Sequence, residues 1–507
     1  MPKGVELARP AYAATQVGDV TSQGVAAMRA DIGRTAFVVD GTGVMVGTLS
    51  DSYDCLGGAA AGVASGELPA GVTVLDELSP CTEATDEGRG MMEIIHDVAP
   101  GASQAFHTAF EGQASFAQGI IDLANAGAKL INDDVIYFAE PFYQDGIIAQ
   151  AVDTVKGMGV AYFSSAGNED RKAYESPLPC ERRVFRHRLR AARGARFRSG
   201  CRCRYCQQIT IPVGRTLTQV YQWDEPFFSV SGAPGSASDM DIVLTNVACE
   251  ALVAGSAADN VGGDPFEVFG FTNGGPVTTF GVRILRLACP NPGLMKTVNV
   301  GSGSITIDQF DTKNGASWAH SAALGGLGVG AADYRDTPAF GRDLPLVETF
   351  SSAGGTPILF DTAGDRLATP EVRQQPDITA PDGADTSFFG SDTDGTGFPN
   401  FFGTSAAAPH AAGVAALMKD LVSTLTPDAT YAALKATAMD MDDPSTGGFD
   451  TGFDFGTGFG LIQADAALGE VAPPPPPPPQ PDLPPSPPIT SHHQLRQFRY
   501  CPLTQRP

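Results

Sequence analysis

The sequence predicts an α/β protein whose doubly wound, mostly parallel sheet carries helices on both faces and is interrupted by an all-β, sandwich-like insertion. On either side of the middle of the chain, short apolar strand patterns alternate with helix-period patterns. This alternation is typical of a parallel sheet with crossover helices. In the middle, residues 208–316 hold β-branched or alternating runs separated by Gly, Pro, Asn and Asp clusters. No helix-period segment interrupts these runs, so they predict a separate β unit.

The individual elements follow from the period of their apolar residues. Apolar runs predict strands at VMVGTL (44–49), KLINDDVIYF (129–138) and VAYFSSAGN (160–168). Helical spacing predicts helices at MMEIIHDV (91–98) and at AAAPHAAGVAALMKDLV (406–422), which has small residues on its inner face. The strands predicted inside the insertion are ITIPV, TLTQVYQW, DIVLTNV, TTFGVRI and SITIDQF.

Composition divides the chain into segments. These are an N-terminal extension (1–30), the α/β domain (31–170 and 317–470), an Arg/Cys-rich block (180–207), the β insertion (208–316) and a Pro-rich tail (471–507). The tail contains a polyproline spacer that cannot pack a core. The Arg/Cys-rich block could be a processing site, a basic arm or a zinc cluster. Its C-x-C-x-x-C spacing has no convincing fourth ligand, and we favour a translated frameshift.

The charge balance excludes several classes of partner. Lys and Arg number 33 against 57 Asp and Glu, a net charge of −24, which argues against nucleic acid and anionic membranes. No run of eighteen apolar residues predicts a membrane span. The N-terminus shows no secretory signal pattern.

The sharpest motif is GTSAAAPHAAGVAALM, residues 403–418. A serine directly before a helix places its hydroxyl and its backbone N–H at the positive end of the helix dipole. Ser405 is therefore a candidate nucleophile whose attack would create a stabilised oxyanion. On the dipeptide alone, a simple helix N-cap explains the serine equally well.

The full string G-T-S-x-x-x-P-H-x-x-G resembles the nucleophile signature of subtilisin-like serine peptidases. Further segments resembling that family are VMVGTLSDSYD, VAYFSSAGNED, HSAALGGLGVGAADY, VETFSSAGG, QPDITAPDG and GTGFGLIQADAAL. The resemblance implies a peptide-bond hydrolase on a subtilisin-like sheet, with the Asn168 amide donating to the oxyanion. It also implies a structural role for His410.

The stretch DEGRGMMEIIHDVAPGA, residues 86–102, departs from the family pattern. The family's base is a histidine in a His-Gly-Thr opening; here Glu87 stands in the histidine's place and Arg89 in the threonine's. His96 lies nine residues further along the helix, about 180° away from Glu87. We therefore expect His96 to be a packing residue rather than the base.

A glutamate base has a precedent in sedolisins, which share the fold and use a Glu–Asp pair with the serine. Their aspartate lies one turn after the glutamate, where this chain has Met91. We assign the orienting aspartate to Asp51 in LSDSYD. An ungapped match places Ser50 there instead and makes Asp54 the neighbouring acid. Strand alternation would turn Ser50 and Asp51 to opposite faces unless a bulge intervenes.

The resulting hypothesis is an Asp51–Glu87–Ser405 serine-carboxyl endopeptidase with Asn168 in the oxyanion hole. Because neighbouring carboxyls share a proton and one apparent pKa rises, we expect most activity below about pH 6. Two alternatives stay open. One is a catalytically inactive pseudopeptidase that binds or scaffolds; the other is a polysaccharide- or surface-binding protein dominated by the β unit.

No cofactor is expected to be required, and no metal is assigned to the catalytic site. The loop DTDGTGFPN, residues 392–400, suggests a calcium loop but lacks the bidentate glutamate at its end, which favours a solvated turn. Calcium is expected at most as a structural ion. The expected partners are protein or peptide substrates of a monomer. The family resemblance implies an extracellular location.

Overall fold

A computed structural model describes residues 18–177, 206–288, 292–301 and 304–474. The first part of the chain alternates helices with strands. In chain order these elements are α1 (Gly24–Ala27), α2 (Ala30–Phe37), β1 (Met45–Ser50), α3 (Ala59–Ser65), β2 (Thr73–Asp76), α4 (Glu87–Val98), β3 (Ser103–Thr108), α5 (Gln113–Ala126), β4 (Leu130–Asp133), α6 (Ile147–Gly157) and β5 (Ala161–Ser165).

The middle of the chain forms two antiparallel sheets. Its elements are β6 (Ala173–Pro177), β7 (Gln207–Thr210), β8 (Thr216–Trp223), α7 (Phe228–Ser231), β9 (Asp239–Asn246), β10 (Leu252–Ser256), β11 (Phe266–Thr272), β12 (Thr279–Ala288), β13 (Leu294–Gly301) and β14 (Thr306–Ile307). One sheet has the order β10-β9-β12-β7-β14 and the other β11-β8-β13-β6. Inward side chains of both sheets, including Trp223 and Ile242, share one apolar core, as in a β-sandwich.

The last part of the chain completes the central sheet. Its elements are β15 (Leu327–Asp333), β16 (Pro357–Phe360), β17 (Arg366–Val372), β18 (Ile378–Asp382), β19 (Ala384–Asp385), β20 (Asn400–Phe401), α8 (Thr404–Leu421), α9 (Pro427–Thr437) and α10 (Ala464–Val471), with short 3₁₀ turns at Ala319–Ala322, Tyr334–Asp336 and Pro338–Phe340. The central sheet has seven strands in the order β18-β15-β5-β4-β1-β3-β2. All of its strand pairs are parallel.

Alternate side chains of the central strands face two different helix layers. Leu130 of β4 packs in the cluster that contains residues of α4, α8, α9 and α10. Its neighbour Ile131 packs in the cluster that contains residues of α5 and α6. This alternation follows from the two-residue period of a strand. The predicted fold class, a parallel sheet with helices on both faces plus a β insertion, is confirmed.

The structure differs from the predicted elements in two places. Strand β4 ends at Asp133, so residues 135–138 of the apolar run KLINDDVIYF are not part of it. Strand β6 precedes the predicted start of the insertion at residue 208 but pairs with β13 of the sandwich. In both cases pairing partners, which a single-sequence pattern does not contain, decide where the strand lies.

Several predicted segments lie outside the described residues. These are most of the N-terminal extension, nearly all of the Arg/Cys-rich block and the Pro-rich tail beyond residue 474. Among the described residues, Cys55 pairs with Cys81 and Cys206 with Cys249 in disulfides. No helix in this part of the chain is long and apolar enough to cross a membrane.

Candidate active site

Ser405 lies in the first turn of α8, which begins shortly after β20. The helix is preceded by Gly403, whose φ of 116° is a conformation that favours glycine. The Gly403 N–H donates to Asp382 at 2.8 Å, which fixes the start of the helix. Ser405 is 9% exposed. Its backbone N–H belongs to the first turn, where N–H groups have no partner within the helix and point toward incoming negative charge.

Glu87 is the first residue of α4 and faces Ser405. Its carboxyl lies close to the Ser405 hydroxyl and to the carboxyl group of Asp134, whose Oδ1 has no hydrogen-bond partner among the described residues. Burial raises the pKa of Glu87 above its ordinary value, and the nearby charge of Asp51 adds to the shift, while the polar groups of Asp134 and Ser405 oppose it. Glu87 therefore combines contact with the candidate nucleophile and an increased basicity.

Asp134 was not predicted as a site residue, yet its carboxyl is the one that contacts Glu87. It follows directly after β4, at the carboxyl end of a central parallel strand, and lies next to Glu87 and Ser50. Burial raises the pKa of Asp134 well above its ordinary value, and the neighbouring Glu87 carboxyl raises it further, while the Ser50 hydroxyl opposes the shift. Asp134 and Glu87 are thus two adjacent carboxyl groups that titrate as a pair.

Asp51 is close to Glu87 but bonds to its main chain rather than to its carboxyl. Asp51 Oδ1 accepts from the Glu87 N–H at 2.9 Å, and Oδ2 accepts from the Thr85 N–H and hydroxyl at 2.5 and 2.7 Å. Asp51 therefore fixes the start of α4. This differs from the predicted arrangement, in which Asp51 pairs with the side chain of Glu87.

The other two candidates for the aspartate position also have defined places. Strand β1 ends at Ser50, so strand alternation no longer separates Ser50 from Asp51, and both lie at the site. Asp54 is exposed, and its Oδ1 accepts from the Ala59 N–H at 2.9 Å at the start of α3. Asp54 is thus a local helix-start residue rather than a partner of Glu87.

Asn168 lies beside the first turn of α8. Its Oδ1 accepts from the Thr404 N–H and from the Thr404 hydroxyl, both at 3.0 Å. Its own N–H donates to Glu169 at 2.8 Å. With Oδ1 engaged, the Nδ2 donor is the part of the amide left for a ligand, and a Cβ built on Gly403 would lie 3.4 Å from it. An exposed amide donor next to the candidate nucleophile is suitable geometry for an oxyanion hole.

Neither histidine of the two motif helices contacts Ser405 in the described hydrogen bonds. His96 is buried in α4, its Nδ1 has no partner among the described residues, and burial lowers its pKa. His410 bonds through Nδ1 to the Ala406 carbonyl and through Nε2 to the Ser22 hydroxyl, and burial lowers its pKa to about 4. Both are neutral packing residues at neutral pH. Arg89, which stands at the family's threonine position, donates to Asp86 at 2.8 Å.

The acidic loop 392–400 uses its carboxylates for hydrogen bonds within the protein. Asp392 accepts from the N–H groups of Gly395 and Gly397, and Asp394 accepts from the Tyr334 hydroxyl at 2.6 Å. Across the described ranges, no group of three or more His, Cys, Asp or Glu side chains is arranged to hold a metal ion. A structural calcium ion stays a prediction.

A protein-family model matches most of the chain. The model of the subtilase family, Peptidase_S8, matches residues 85–460, about three quarters of the chain. No curated protein matches the chain in sequence.

The chain is similar to solved structures at low sequence identity. The CspB protease of Clostridium perfringens is similar with a TM-score of 0.53 and 12% identity, over 88% of this chain and 98% of that chain. MycP1 with its N-terminal propeptide removed has a TM-score of 0.39 and 14% identity, over 88% of this chain and 96% of that chain. The self-cleaved protease domain of PatA has a TM-score of 0.39 and 16% identity, over 85% and 98%.

Proposed function

The chain belongs to the subtilase family, and from that premise we propose that it is a serine endopeptidase in which a carboxyl pair, Glu87 and Asp134, serves as the base. The observation that carries the proposal is the position of the Glu87 carboxyl, which lies close to both the Ser405 hydroxyl and the carboxyl group of Asp134. A base within hydrogen-bond reach of a nucleophile, itself oriented by a third group, is the arrangement that nucleophilic catalysis requires.

In the proposed reaction, Glu87 accepts the proton of the Ser405 hydroxyl while Oγ forms a bond to the carbonyl carbon of the peptide. The carbonyl oxygen becomes an oxyanion, which the Asn168 amide and the Ser405 backbone N–H stabilise. The proton on Glu87 then passes to the leaving amine as the C–N bond breaks. Water hydrolyses the resulting acyl-enzyme by the same proton transfers in reverse order, which regenerates Ser405.

The role proposed for Asp134 is to supply the shared proton that holds Glu87 in place. With one proton between them, the pair presents one carboxylate to Ser405 and one O–H donor to Glu87. At low pH the pair carries two protons and has no base; at high pH it carries none and two adjacent charges repel each other. Activity is therefore bell-shaped in pH, with its acid limb above the ordinary glutamate pKa because burial raises the pKa of Glu87.

Hydrolysis of an unspecific peptide library across pH 3–9 tests this proposal with the full chain and two variants, Glu87→Gln and Ser405→Ala. We expect a bell-shaped profile for the wild type and loss of hydrolysis in both variants. Full activity of Glu87→Gln would contradict the role of the carboxyl pair. Hydrolysis by none of the three proteins would favour the alternative, an inactive pseudopeptidase.

The proposed location is extracellular. The Cys55–Cys81 and Cys206–Cys249 disulfides support it, because such bonds persist in oxidising compartments. Thiol labelling of the protein from its native source, with and without reductant, tests this. The four cysteines of these two disulfides should label only after reduction, and labelling of any of these four without reductant would contradict the proposal.

A further inference from the structure

A buried charge cluster lies directly behind the carboxyl pair, on the opposite side of the central sheet. His320 is 1% exposed and sits between two carboxyl groups. Its Nε2 is 3.1 Å from Asp133 Oδ1, and its Nδ1 is 2.9 Å from Glu140 Oε2. Burial alone lowers the pKa of His320, but the charges of Glu140 and Asp133 outweigh burial and raise it to about 10. His320 is thus an imidazolium that bridges two acidic side chains.

The neighbourhood of His320 is otherwise uncharged or already paired. The ring of Phe116 from α5 meets it edge-on at 5.1 Å. The hydroxyl of Tyr162 from β5 lies next to Asp133, which also accepts from the Ser164 hydroxyl at 3.1 Å. On the side of α6, Arg373 pairs with Asp145 and donates to the Ala322 carbonyl at 2.8 Å, and Asp153 of α6 lies beside Gly325.

The cluster bears on the site because Asp133 and Asp134 are consecutive. Because a single planar peptide bond joins the two residues, holding Asp133 in place restricts where Asp134 can lie. Asp133 points toward the α5 and α6 layer, where His320 holds it. Asp134 points toward the α4 and α8 layer, where it meets Glu87.

The same cluster connects the site to the inserted sandwich. Glu140, the second partner of His320, accepts through its carbonyl from the Gln222 side chain of β8 at 2.7 Å. Gln222 in turn accepts from the Phe142 N–H at 2.7 Å. His320 itself lies just after the point where the chain returns from the sandwich, in the 3₁₀ turn at Ala319–Ala322. The point where the chain returns from the sandwich and the contact between the β4–α6 connection and β8 therefore both lie at this histidine.

We propose that His320 is a positioning residue, whose bridge between Asp133 and Glu140 holds Asp134 against Glu87 and makes the inserted sandwich part of the catalytic framework. The inference rests on the proposed function. The positioning role predicts that a substitution in the His320 cluster, on one face of the central sheet, alters proton transfer by Glu87 on the other face. Such a change acts both through the position of Asp134 and through the net negative charge of the cluster.

Two variants of the full chain test the proposal, with a third as control. His320→Gln removes the bridge and should lower kcat at least about tenfold with KM nearly unchanged, because a misplaced catalytic group slows chemistry more than binding. Glu140→Gln removes one negative charge while Asp133 and His320 stay paired. Ionised Glu87 is then less disfavoured, so the acid limb of kcat/KM should move to lower pH by about half a unit.

The control is Glu175→Gln, which removes a carboxyl 3.6 Å from the buried Lys296 within the sandwich. It should lower the melting temperature without moving kcat or the acid limb. If His320→Gln does not fold, the test rests on Glu140→Gln, through the pH shift of the acid limb of its kcat/KM profile. Wild-type kcat and an unmoved acid limb in the bridge variants, or changes that the control reproduces, would overturn the proposal.

A second readout separates this inference from the proposed function. Infrared spectroscopy can follow the protonated carboxyl band that disappears in Asp134→Asn, whether or not the chain cleaves peptides. Glu140→Gln should move the titration midpoint of this band to lower pH. If the wild-type chain cleaves no peptide but Glu140→Gln moves the midpoint, the proposed function is contradicted and the positioning role is retained. If the wild-type chain cleaves peptides but the midpoint does not move, the positioning role is contradicted and the proposed function is retained.

Discussion

Helix α4 carries one carboxyl group in its first turn and two further along, and they differ in what lies next to their oxygens. In the first turn, the Glu87 carboxyl lies close to the Ser405 hydroxyl and to a second carboxyl. Further along, Glu93 accepts from the N–H and hydroxyl of Ser387 at 2.8 and 2.7 Å, and Asp97 accepts from the Ser22 N–H at 2.7 Å. Burial raises the pKa in every case.

The difference shows that a raised pKa alone does not mark a catalytic group. Glu93 and Asp97 use their oxygens to hold neighbouring chain segments against the helix, and the donors are mainly backbone N–H groups that cannot react. Glu87 faces the Ser405 hydroxyl, which lies in the first turn of α8 beside the Asn168 amide. By contrast, the Ser387 hydroxyl that Glu93 binds accompanies the N–H of the same residue. The setting of the partner, rather than the basicity, separates a catalytic carboxyl from a structural one.

The largest effect is expected from Glu87→Gln compared with Glu93→Gln. Glutamine at position 87 cannot accept the serine proton, so kcat/KM should fall roughly 10³-fold or more. The same change at Glu93 is matched in residue type and helix and should leave kcat/KM within about twofold of the wild type. Steady-state kinetics of both variants measure this, and equal losses would remove the distinction between the two glutamates of α4.

Asn168→Ala should give the next largest effect. Removing one oxyanion donor costs about 10² to 10³ in kcat with a small change in KM. Kinetics at saturating peptide measure the loss. If the main effect were on KM, Asn168 would be a residue that binds the ground state.

Asp134→Asn should produce a smaller loss with a change in pH dependence. Asparagine still donates a hydrogen bond to Glu87 but cannot ionise, so kcat should fall about 10- to 100-fold while the alkaline limb moves to higher pH. The pH profile of kcat/KM measures this. An alkaline limb unchanged from the wild type would place the titrating group elsewhere.

The smallest effect is expected on stability, from Glu93→Gln. Burial raises the pKa of Glu93 to about 7 in the folded protein, against a lower value in the unfolded chain. Its stabilising contribution is therefore present below the unfolded pKa and is lost as pH rises through about 7. In the wild type, the free energy of unfolding measured with denaturant should fall between pH 5 and pH 8. In Glu93→Gln this fall should be smaller, by on the order of 2 kcal/mol. An equal fall in both proteins would show that Glu93 ionises without cost.

Much of the site could be predicted because its signals are local. Ser405 follows Gly-Thr at a helix start, Asn168 follows a strand, and Glu87 stands at a recognisable position before a helical pattern. Asp134 could not be found this way, because its contact with Glu87 spans 47 residues and depends on how β4 and α4 pack together. The apolar residues 135–138 also extended the predicted strand past Asp134 and concealed the carboxyl end of β4, where parallel sheets place functional groups.

The assignment of Asp51 shows a related limit. Sequence correctly places it near the start of α4, but proximity does not determine whether a carboxylate binds the side chain or the main chain of its neighbour. Which of the two Asp51 binds depends on where the start of α4 lies relative to Asp51, and packing of the helix on the sheet decides that position.

The central claim is that Glu87 activates Ser405, and the rate at which a fluorophosphonate labels Ser405 tests it most directly, since labelling needs the nucleophile and its base but no particular peptide. For the wild type we predict labelling confined to Ser405, with a rate that falls as pH drops through the raised pKa of Glu87; for Glu87→Gln we predict a rate at least about a hundredfold lower. Labelling of Glu87→Gln at the wild-type rate across the pH range would contradict the account.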